Sequence, residues 1–184
     1  MVYVDQILFS KQLIFNKNII FIKVLKFNFA KKLTMNFENL KPQVEIIVQS
    51  QLERDQKLQK ICQLLSESVT HYDWVGYYFA NHETKTLHLG PYVGAETDHT
   101  VIPFGKGICG QVAESNANFV VPDVKAQDNY IACSITVKSE IVIPLFVNGI
   151  NIGQIDIDSH VLNPFTEEDE HFLEFVNEQV ATLF

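Results

Sequence analysis

Apolar residues between Asn39 and Thr70 recur at intervals of three and four, with charged residues between them. This spacing places the apolar side chains on one side of an α-helix. The pattern predicts one long amphipathic helix or two consecutive ones. The buried side of this helical region is expected to hold Val44, Ile47, Val48, Leu52, Leu58, Ile61, Leu64, Leu65 and Val69.

The pattern changes to short aromatic and β-branched runs after residue 73. W-V-G-Y-Y-F at Trp74 to Phe79 and a second run at Thr86 to Leu89 flank the polar stretch N-H-E-T-K, which predicts a hairpin. The sequence V-N-G joins the last two predicted strands in a compact turn, because Asn148 and Gly149 can adopt positive φ. The further strands are expected at Thr100 to Ile102, Phe119 to Pro122, Glu140 to Phe146 and Ile150 to Asp158.

Two more helices complete the predicted fold. Gly107 to Glu114 follows a glycine-rich turn and is expected to form a short helix. Thr166 is a favourable N-cap for a C-terminal helix whose first turn is acidic, as the helix dipole favours. The order of helix, antiparallel strands with a helical insertion, and helix predicts an α+β fold with a central antiparallel sheet and helices on one face. The C-terminal helix is expected to bury Phe172, Leu173, Val176, Val180 and Leu183.

Residues 1–34 differ from the rest of the chain. They are rich in Phe, Ile, Leu, Asn and Lys, and they contain no Gly, Pro or acid after Asp5. Their longest apolar run, Ile19 to Ile22, is too short to span a membrane, and no signal-peptide cleavage site is clear. Three interpretations remain: a segment upstream of a working start at Met35, which we favour, a basic targeting extension, or an amphipathic helix. We assign the fold to residues 35–184 and treat 1–34 as an extension outside it.

Charge is distributed unevenly along the chain. Of 14 basic and 22 acidic residues, six lysines and Asp5 lie in residues 1–34, which leaves eight basic and twenty-one acidic residues, or about −13, in the remainder. An acidic body of this kind repels phosphate groups, so we do not expect nucleic-acid binding. The apolar content is sufficient for one domain to bury a core without a metal or a disulfide.

Three cysteines, Cys62, Cys109 and Cys133, form no CxxC pair, and their number is odd. This usage argues against a secreted disulfide framework and against a thiolate zinc site, and it favours reduced thiols in the cytoplasm. The histidines show no metal-ligand spacing, so we expect neither a metal nor another bound cofactor. Cys62 lies beside Ile61 on the apolar side of the predicted helix and is interpreted as a core residue.

The region from Ile102 to Ser159 contains the residues suited to chemistry. Cys109 and Cys133 lie in glycine-punctuated or polar loop sequence, and Glu140, Asp156 and Asp158 lie on or beside predicted strands. Asp156 and Asp158 are two residues apart on a strand, so they project from the same face. Without further information, these two acids could simply face water, and Cys109 could be a small packed residue.

With these residues in view, residues 35–184 resemble a GAF domain and, within that class, the free methionine-(R)-sulfoxide reductases. The resemblance depends on seven segments occurring in one order, each of which is weak alone. GAF membership by itself implies little about function, because many such domains only bind small ligands. The segments are W-V-G-Y-Y, L-G-P-Y, I-P-F-G-K-G-I-C-G, V-V-P-D-V, I-A-C, S-E-I-V-I-P-L and I-D-I-D-S.

The resemblance implies a role for each matched position. Cys133, in I-A-C, corresponds to the nucleophile, and Cys109, in G-I-C-G, to the resolving thiol, with the resulting disulfide reopened by thioredoxin or a similar external thiol. Trp74 and Tyr78 are implied to line the pocket around the substrate methyl and sulfoxide groups. Glu140, Asp156 and Asp158 are implied to be polar substrate contacts, although the two aromatic residues are also typical of a protein core.

Three positions depart from the family pattern. His99 stands ten residues before Cys109, where the family usually has a further cysteine, so a relay of three cysteines is excluded and a cycle of two is expected. Tyr130 and Ser134 replace the usual histidine and aspartate near Cys133, which alters the expected environment of the nucleophile.

Reducing a sulfoxide requires a thiolate that attacks sulfur and an acid that protonates the oxygen. The sulfenic acid formed on the attacking cysteine is converted to a disulfide by a second thiol. Three carboxyl groups around one pocket raise at least one pKa, so that a carboxyl keeps a proton near neutral pH. The other carboxylates can pair with the substrate ammonium, which peptide-bound methionine lacks.

Two hypotheses for function remain. The favoured one is an enzyme that reduces free methionine-(R)-sulfoxide, located in the cytoplasm without a membrane or nucleic-acid partner. The alternative is a non-catalytic GAF module that senses a small ligand or redox state. It is supported by His99 in place of the third cysteine, whereas the lack of an output domain weighs against it. Helices at both ends offer a surface for homodimer formation, which is common in this fold.

Overall fold

The structure, a computed structural model, describes residues 37–128 and 136–184. Four α-helices and six β-strands lie in these two ranges, with short 3-10 turns at Phe37–Asn39 and Val124–Ala126. The helices are α1 (Lys41–Gln49), α2 (Arg54–Ser68), α3 (Gly107–Ser115) and α4 (Glu167–Ala181). The strands are β1 (Trp74–Asn81), β2 (Thr86–Val93), β3 (Val101–Pro103), β4 (Phe119–Val121), β5 (Ser139–Val147) and β6 (Ile150–Ser159).

The six strands form one antiparallel sheet in the order β3-β2-β1-β6-β5-β4. The two central strands, β1 and β6, are far apart in sequence, while β5 and β6 form a hairpin. The turn of that hairpin has φ of 51° at Asn148 and 77° at Gly149, which matches the right-handed twist of the flanking strands. The predicted α+β class with a central antiparallel sheet is confirmed.

One face of the sheet packs against α2 and α4, and α1 packs against these two helices. The residues that alternate toward it along the central strands are buried and apolar, and they include Val75, Tyr77, Ile141, Ile143, Ile155 and Ile157. Asn177 of α4 fastens the helix to the sheet, because its Nδ2 donates to the carbonyl oxygens of Ile143 and Pro144 at 2.9 and 3.1 Å. The predicted placement of the terminal helices on one face is therefore confirmed.

The N-terminal helical region divides into two helices. Ser50 has an extended backbone after α1, and α2 starts with a capping box between Glu53 and Gln56. This break decides between the two alternatives left by the sequence. Cys62 of α2 is fully buried, and burial raises the pKa of its thiol to about 12, in agreement with its interpretation as a core residue.

The opposite face of the sheet is covered by α3 and by the chain between the strands. A second apolar cluster forms there and includes Trp74, Tyr78, Leu87, Ile108, Val112, Val121 and Val142. The predicted candidate residues that the structure describes all lie on this side. In the described parts of the chain, each helix is too short or too polar to cross a membrane.

Candidate active site

The three predicted acids are buried on the α3 side of the sheet. Asp156 and Asp158 alternate along β6, and Glu140 of β5 lies directly opposite Asp158. Their exposed fractions are only 2%, 3% and 3%, respectively. The interpretation that Asp156 and Asp158 face water is therefore wrong, because α3 and the loops cover this face of the strands.

Cys109 approaches the acids from α3. It lies in the first turn of this helix, which confirms the short helix predicted from Gly107 to Glu114, and it is 5% exposed. Its Sγ is 3.9 Å from Oε1 of Glu140. Donor atoms of Cys109, Glu140 and Asp156 all lie within 4.8 Å of one another, so one thiol and two carboxyl groups form a single buried cluster.

Local packing fixes the start of α3 against the sheet. Gly107 has φ of 63°, a conformation that favours glycine. A Cβ at Gly110 would meet the carbonyl oxygen of Pro103 at 2.4 Å. Nε2 of the fully buried Gln154 donates to the Cys109 carbonyl oxygen at 3.1 Å. These contacts hold the thiol near Glu140.

A cavity of about 100 Å³ opens beside the acids. Four of the five predicted substrate-binding residues line it, namely Trp74, Tyr78, Asp156 and Asp158. The other lining residues are Asp73, Ala95, Glu96, Thr97, Thr136, Val137 and His160. The cavity is small compared with a typical drug-sized pocket, so it suits a small metabolite.

The aromatic wall of the cavity is held in place by hydrogen bonds and stacking. Nε1 of Trp74 donates to the Ala95 carbonyl at 3.1 Å, and the indole stacks on Tyr92 at 5.3 Å. The Tyr78 hydroxyl donates to the His99 carbonyl at 2.9 Å. A Cβ at Gly76 would lie 2.3 Å from the Trp74 ring, so the glycine gives the indole its room.

A second cavity of about 20 Å³ is lined by Cys109 and Glu140 together with His99 and Lys106. Glu140, the fifth predicted substrate contact, therefore lies at this cavity and not at the larger one. Asp156 connects the two, because it lines the larger cavity and belongs to the cluster with Cys109 and Glu140.

Burial raises the pKa of all three acids. The pKa of Glu140 is well above its ordinary value because of burial and then the charges of Asp156 and Asp158. Burial raises the pKa of Asp156 to about 7, although hydrogen bonds with Cys109 and Glu140 lower it. The pKa of Asp158 is raised well above normal by burial and then by Asp156 and Asp73. The cluster thus keeps a proton near neutral pH.

Three buried oxygens have no hydrogen-bond partner among the described residues: Gln154 Oε1, Asp156 Oδ1 and Asp158 Oδ1. They lie on alternate residues of β6 and therefore on one face of the strand. Leaving such acceptors unpaired costs free energy. The arrangement suits a ligand that donates hydrogen bonds or carries positive charge.

The same cluster is the one group in the described ranges whose donor atoms could also bind a metal ion. Sequence spacing could not show this, because Cys109, Glu140 and Asp156 lie on three separate elements. Reduction by thiols does not require a metal.

Cys133, the predicted nucleophile, lies outside the described residues, as do Tyr130 and Ser134. The predicted disulfide between Cys109 and Cys133 therefore stays a prediction. Sequence reasoning missed Asp73, Glu96, Thr97 and His160, which line the larger cavity. Asp73 and His160 adjoin the segments W-V-G-Y-Y and I-D-I-D-S, and this adjacency was the only available signal.

Comparison with known proteins gives a consistent result. The GAF domain family matches residues 53–184. GAF domain-containing protein A of Dictyostelium discoideum is 38% identical over 137 residues, which cover 74% of this chain and 85% of that protein. The free methionine-R-sulfoxide reductase of Escherichia coli K12 is 43% identical over 110 residues, covering 60% of this chain and 65% of that protein.

A solved structure agrees with these relatives. The free methionine-R-sulfoxide reductase of Neisseria meningitidis, determined in complex with its substrate, is 35% identical and superimposes with a TM-score of 0.76. The match covers 80% of this chain and 87% of that protein. The chain therefore belongs to the GAF domain family and, within it, to the free methionine-R-sulfoxide reductases.

Proposed function

We propose that this protein reduces free methionine-(R)-sulfoxide to methionine by a thiol mechanism. The observation that carries the proposal is the small cavity in which Trp74, Tyr78, Asp156 and Asp158 meet, next to the buried cluster that contains the Cys109 thiol. A sulfoxide reductase needs a closed site for one amino acid, an acid that holds a proton, and thiols within reach. This site offers all of these if Cys133 is the second thiol.

The lining of the cavity fits a free amino acid with an oxidised thioether. The faces of Trp74 and Tyr78 offer an apolar surface for the methyl group. The unpaired carboxyl oxygens of Asp156 and Asp158 accept hydrogen bonds from an ammonium group. Peptide-bound methionine has no such group, and it would leave these oxygens unpaired.

In the first step, the Cys133 thiolate attacks the sulfoxide sulfur, and the oxygen is transferred to the cysteine as a sulfenic acid. The buried carboxyl cluster supplies the proton for that oxygen, and methionine leaves. In the second step, the Cys109 thiol attacks the sulfenic sulfur, and water leaves as the disulfide forms. One sulfoxide and two thiols thus give one methionine, one disulfide and one water.

Thr136, which lines the larger cavity, lies three residues after Cys133. Three residues span at most roughly 11 Å, so the chain length allows Cys133 to reach the cavity. A disulfide with Cys109 requires the two Cα atoms to come within about 7 Å. Cys109 is packed at the start of α3, so this requirement fixes where the Cys133 thiol has to lie when the disulfide forms.

The enzyme is returned to its reduced form when an external dithiol opens the disulfide, and we propose thioredoxin for this step. A cytoplasmic location and a homodimer remain predictions of the sequence.

The central experiment is a stereospecific assay of the purified chain with dithiothreitol. The free R sulfoxide should be consumed and the free S sulfoxide should not, while Cys133→Ser should abolish turnover. Cys62→Ser is the control for loss of a thiol, and it should retain activity because Cys62 is sealed in the helical core. Full activity of Cys133→Ser, or no consumption of the R sulfoxide, would reject the proposal.

The role of Cys109 can be separated by the choice of reductant. Cys109→Ser should slow thioredoxin-driven turnover more than turnover with dithiothreitol, because a small thiol can reach the sulfenic acid directly. Equal slowing with both reductants would remove Cys109 from the resolving step.

A ligand-binding module without catalysis is the second candidate. It is favoured by the 5% exposure of Cys109, which limits the access of a reductant to the thiol. It predicts that methionine sulfoxide binds to the reduced protein and is recovered unchanged.

A further inference from the structure

The larger cavity has an excess of acidic side chains, which disfavours binding of the α-carboxylate of an amino acid. Asp73, Glu96, Asp156 and Asp158 line it, and no lysine or arginine is among the described lining residues. These acids suit the ammonium group of a free amino acid, but they repel its α-carboxylate. A zwitterionic ligand therefore needs a donor for the carboxylate elsewhere on the wall. This reasoning rests on the proposed function.

His160 is the single described lining residue whose side chain can carry positive charge. It follows the end of β6 and stands two residues after Asp158, so the two residues are roughly 7 Å apart along the chain. The ammonium and carboxylate of one amino acid, with a hydrogen bond at each end, span roughly 8 Å. The two positions can therefore hold the opposite ends of one α-amino acid group.

Asp73 contacts both the backbone and the imidazole of His160. Its Oδ2 accepts the backbone N-H of His160 at 2.7 Å, and its Oδ1 is 3.3 Å from the ring Nδ1. With Nδ1 at ion-pair distance from Asp73, the ring is left with Nε2 for another partner. An imidazole between two carboxylates donates a hydrogen bond to each only as the imidazolium cation.

We propose that His160 binds the α-carboxylate of the substrate through Nε2, and that Asp73 is the positioning residue that orients its ring. Asp156 and Asp158 then take the ammonium group, and the side chain of the substrate extends toward the aromatic wall. The His160 side chain is 51% exposed, so the carboxylate lies at the mouth of the cavity.

The rival explanation is that the Asp73–His160 pair only stabilises the turn after β6. It is tested by binding measurements that compare two ligands, methionine-(R)-sulfoxide and its methyl ester. The ester keeps the ammonium and the sulfoxide but has no carboxylate. Isothermal titration of the reduced full-length Cys133→Ser protein measures both affinities without turnover.

The parent protein should bind the free acid more tightly than the ester. His160→Ala should weaken acid binding by about fivefold, the upper range for an ion pair half exposed to water, and should leave ester binding unchanged. His160→Glu should weaken acid binding further and strengthen ester binding, because it reverses the charge. Asp73→Asn should lower the ratio of acid affinity to ester affinity, as His160→Ala does, but by a smaller factor.

His171→Ala is the matched control, because His171 is an exposed histidine on α4, and it should not alter the ratio. Equal weakening of acid and ester by His160→Ala, or an unchanged ratio, would overturn the assignment of His160 while leaving the proposed function intact. Failure of the free acid to bind the parent protein would overturn both. Circular dichroism of each variant confirms that the comparison is made on folded protein.

Discussion

Asp169 at the start of α4 and Asp156 on β6 are both 2% exposed, but they have very different partners. Oδ1 of Asp169 accepts from the Tyr72 hydroxyl and contacts the His71 ring, each at 3.0 Å. Its Oδ2 accepts from the N-H and hydroxyl of Thr166 at 2.8 and 2.7 Å. Asp156 instead lies against Glu140, Cys109 and other acids, and one of its oxygens has no partner within the described ranges.

The pKa values move in opposite directions as a result. Hydrogen bonds from His71 and Thr166 overcome the effect of burial and lower the pKa of Asp169. Burial raises the pKa of Asp156 because the nearby hydrogen bonds do not compensate for it. A buried acid surrounded by donors stabilises the fold, whereas one without donors destabilises it and is suited to bind a ligand or carry a proton.

The largest expected effect is on the pH dependence of stability. The folded-state pKa of Asp156 is raised, so its stabilising contribution is complete below the unfolded pKa and is lost as pH rises through about 7. The parent should therefore lose stability between pH 4 and pH 8, and Asp156→Asn should not show this loss. At pH 8 the variant should gain up to about 4 kcal/mol in free energy of unfolding over the parent, compared with the same difference at pH 4. Urea unfolding across this range measures the difference.

Asp169 supplies the control of opposite sign. Its pKa is lowered, so its contribution is present above the unfolded pKa and is lost as pH falls through the folded value. Asp169→Asn should thus reduce the loss of stability at acid pH. If the free energy of unfolding depended on pH in the same way for Asp156→Asn and the parent, the raised pKa of Asp156 would be contradicted.

The next effect concerns enzymatic activity and the role of Asp158 in the larger cavity. Asp158→Asn should lower kcat/KM for free methionine-(R)-sulfoxide by about 100-fold, or about 2.7 kcal/mol, because it removes one charge from a buried pair with the ammonium. Steady-state kinetics at neutral pH measure it. Glu168→Gln, at an exposed acid of α4, should have no effect, and a loss of less than threefold for Asp158→Asn would remove Asp158 from ligand binding.

Asp169→Asn should show the reverse pattern, with a loss of stability of about 2 kcal/mol at neutral pH. The new amide group must oppose either the Tyr72 and His71 donors or the Thr166 donors, because each oxygen of Asp169 already accepts from one of these pairs. Thermal and urea unfolding measure the loss. The kcat/KM of the folded variant should stay within twofold of the parent, and a larger loss would show that this acid also serves the site.

The smallest effect is expected from Tyr72→Phe, which removes one donor from Asp169. It should cost about 1 kcal/mol of unfolding free energy, because His71 still contacts the same oxygen. Tyr77→Phe is the matched control, since it removes a longer hydrogen bond of 3.3 Å to Asn177. It should cost no more than Tyr72→Phe and should leave the acid limb of the stability profile unchanged.

The helices and strands could be predicted because each one buries a single side and its residues repeat with a local period. One example is the alternation of apolar and polar residues in the strand Ile150–Ser159. Another is the acidic first turn of α4, which Thr166 caps with the predicted side-chain hydrogen bond. Local chemistry also predicted the turn at Asn148 and Gly149, because few residues other than these adopt positive φ.

The environment of the candidate residues could not be predicted in this way. The sequence placed Asp156 and Asp158 on one face of a strand, but it could not tell whether that face is wet or buried. It gave Asp73 and His160 no role, although both line the cavity. It placed Glu140 among the substrate contacts without indicating that it lies beside Cys109 at the smaller cavity.

By itself, the sequence determined which residues alternate, where helices start and which side chains are chemically suited to thiol and acid chemistry, because these depend on near neighbours in the chain. The tertiary structure decided that Glu140 lies opposite Asp158 in the register of β5 and β6. It also decided that α3 covers them and that the Cys109 Sγ lies 3.9 Å from Oε1 of Glu140. Strand register and helix packing join residues distant in sequence. The pKa of each acid depends on those long-range contacts.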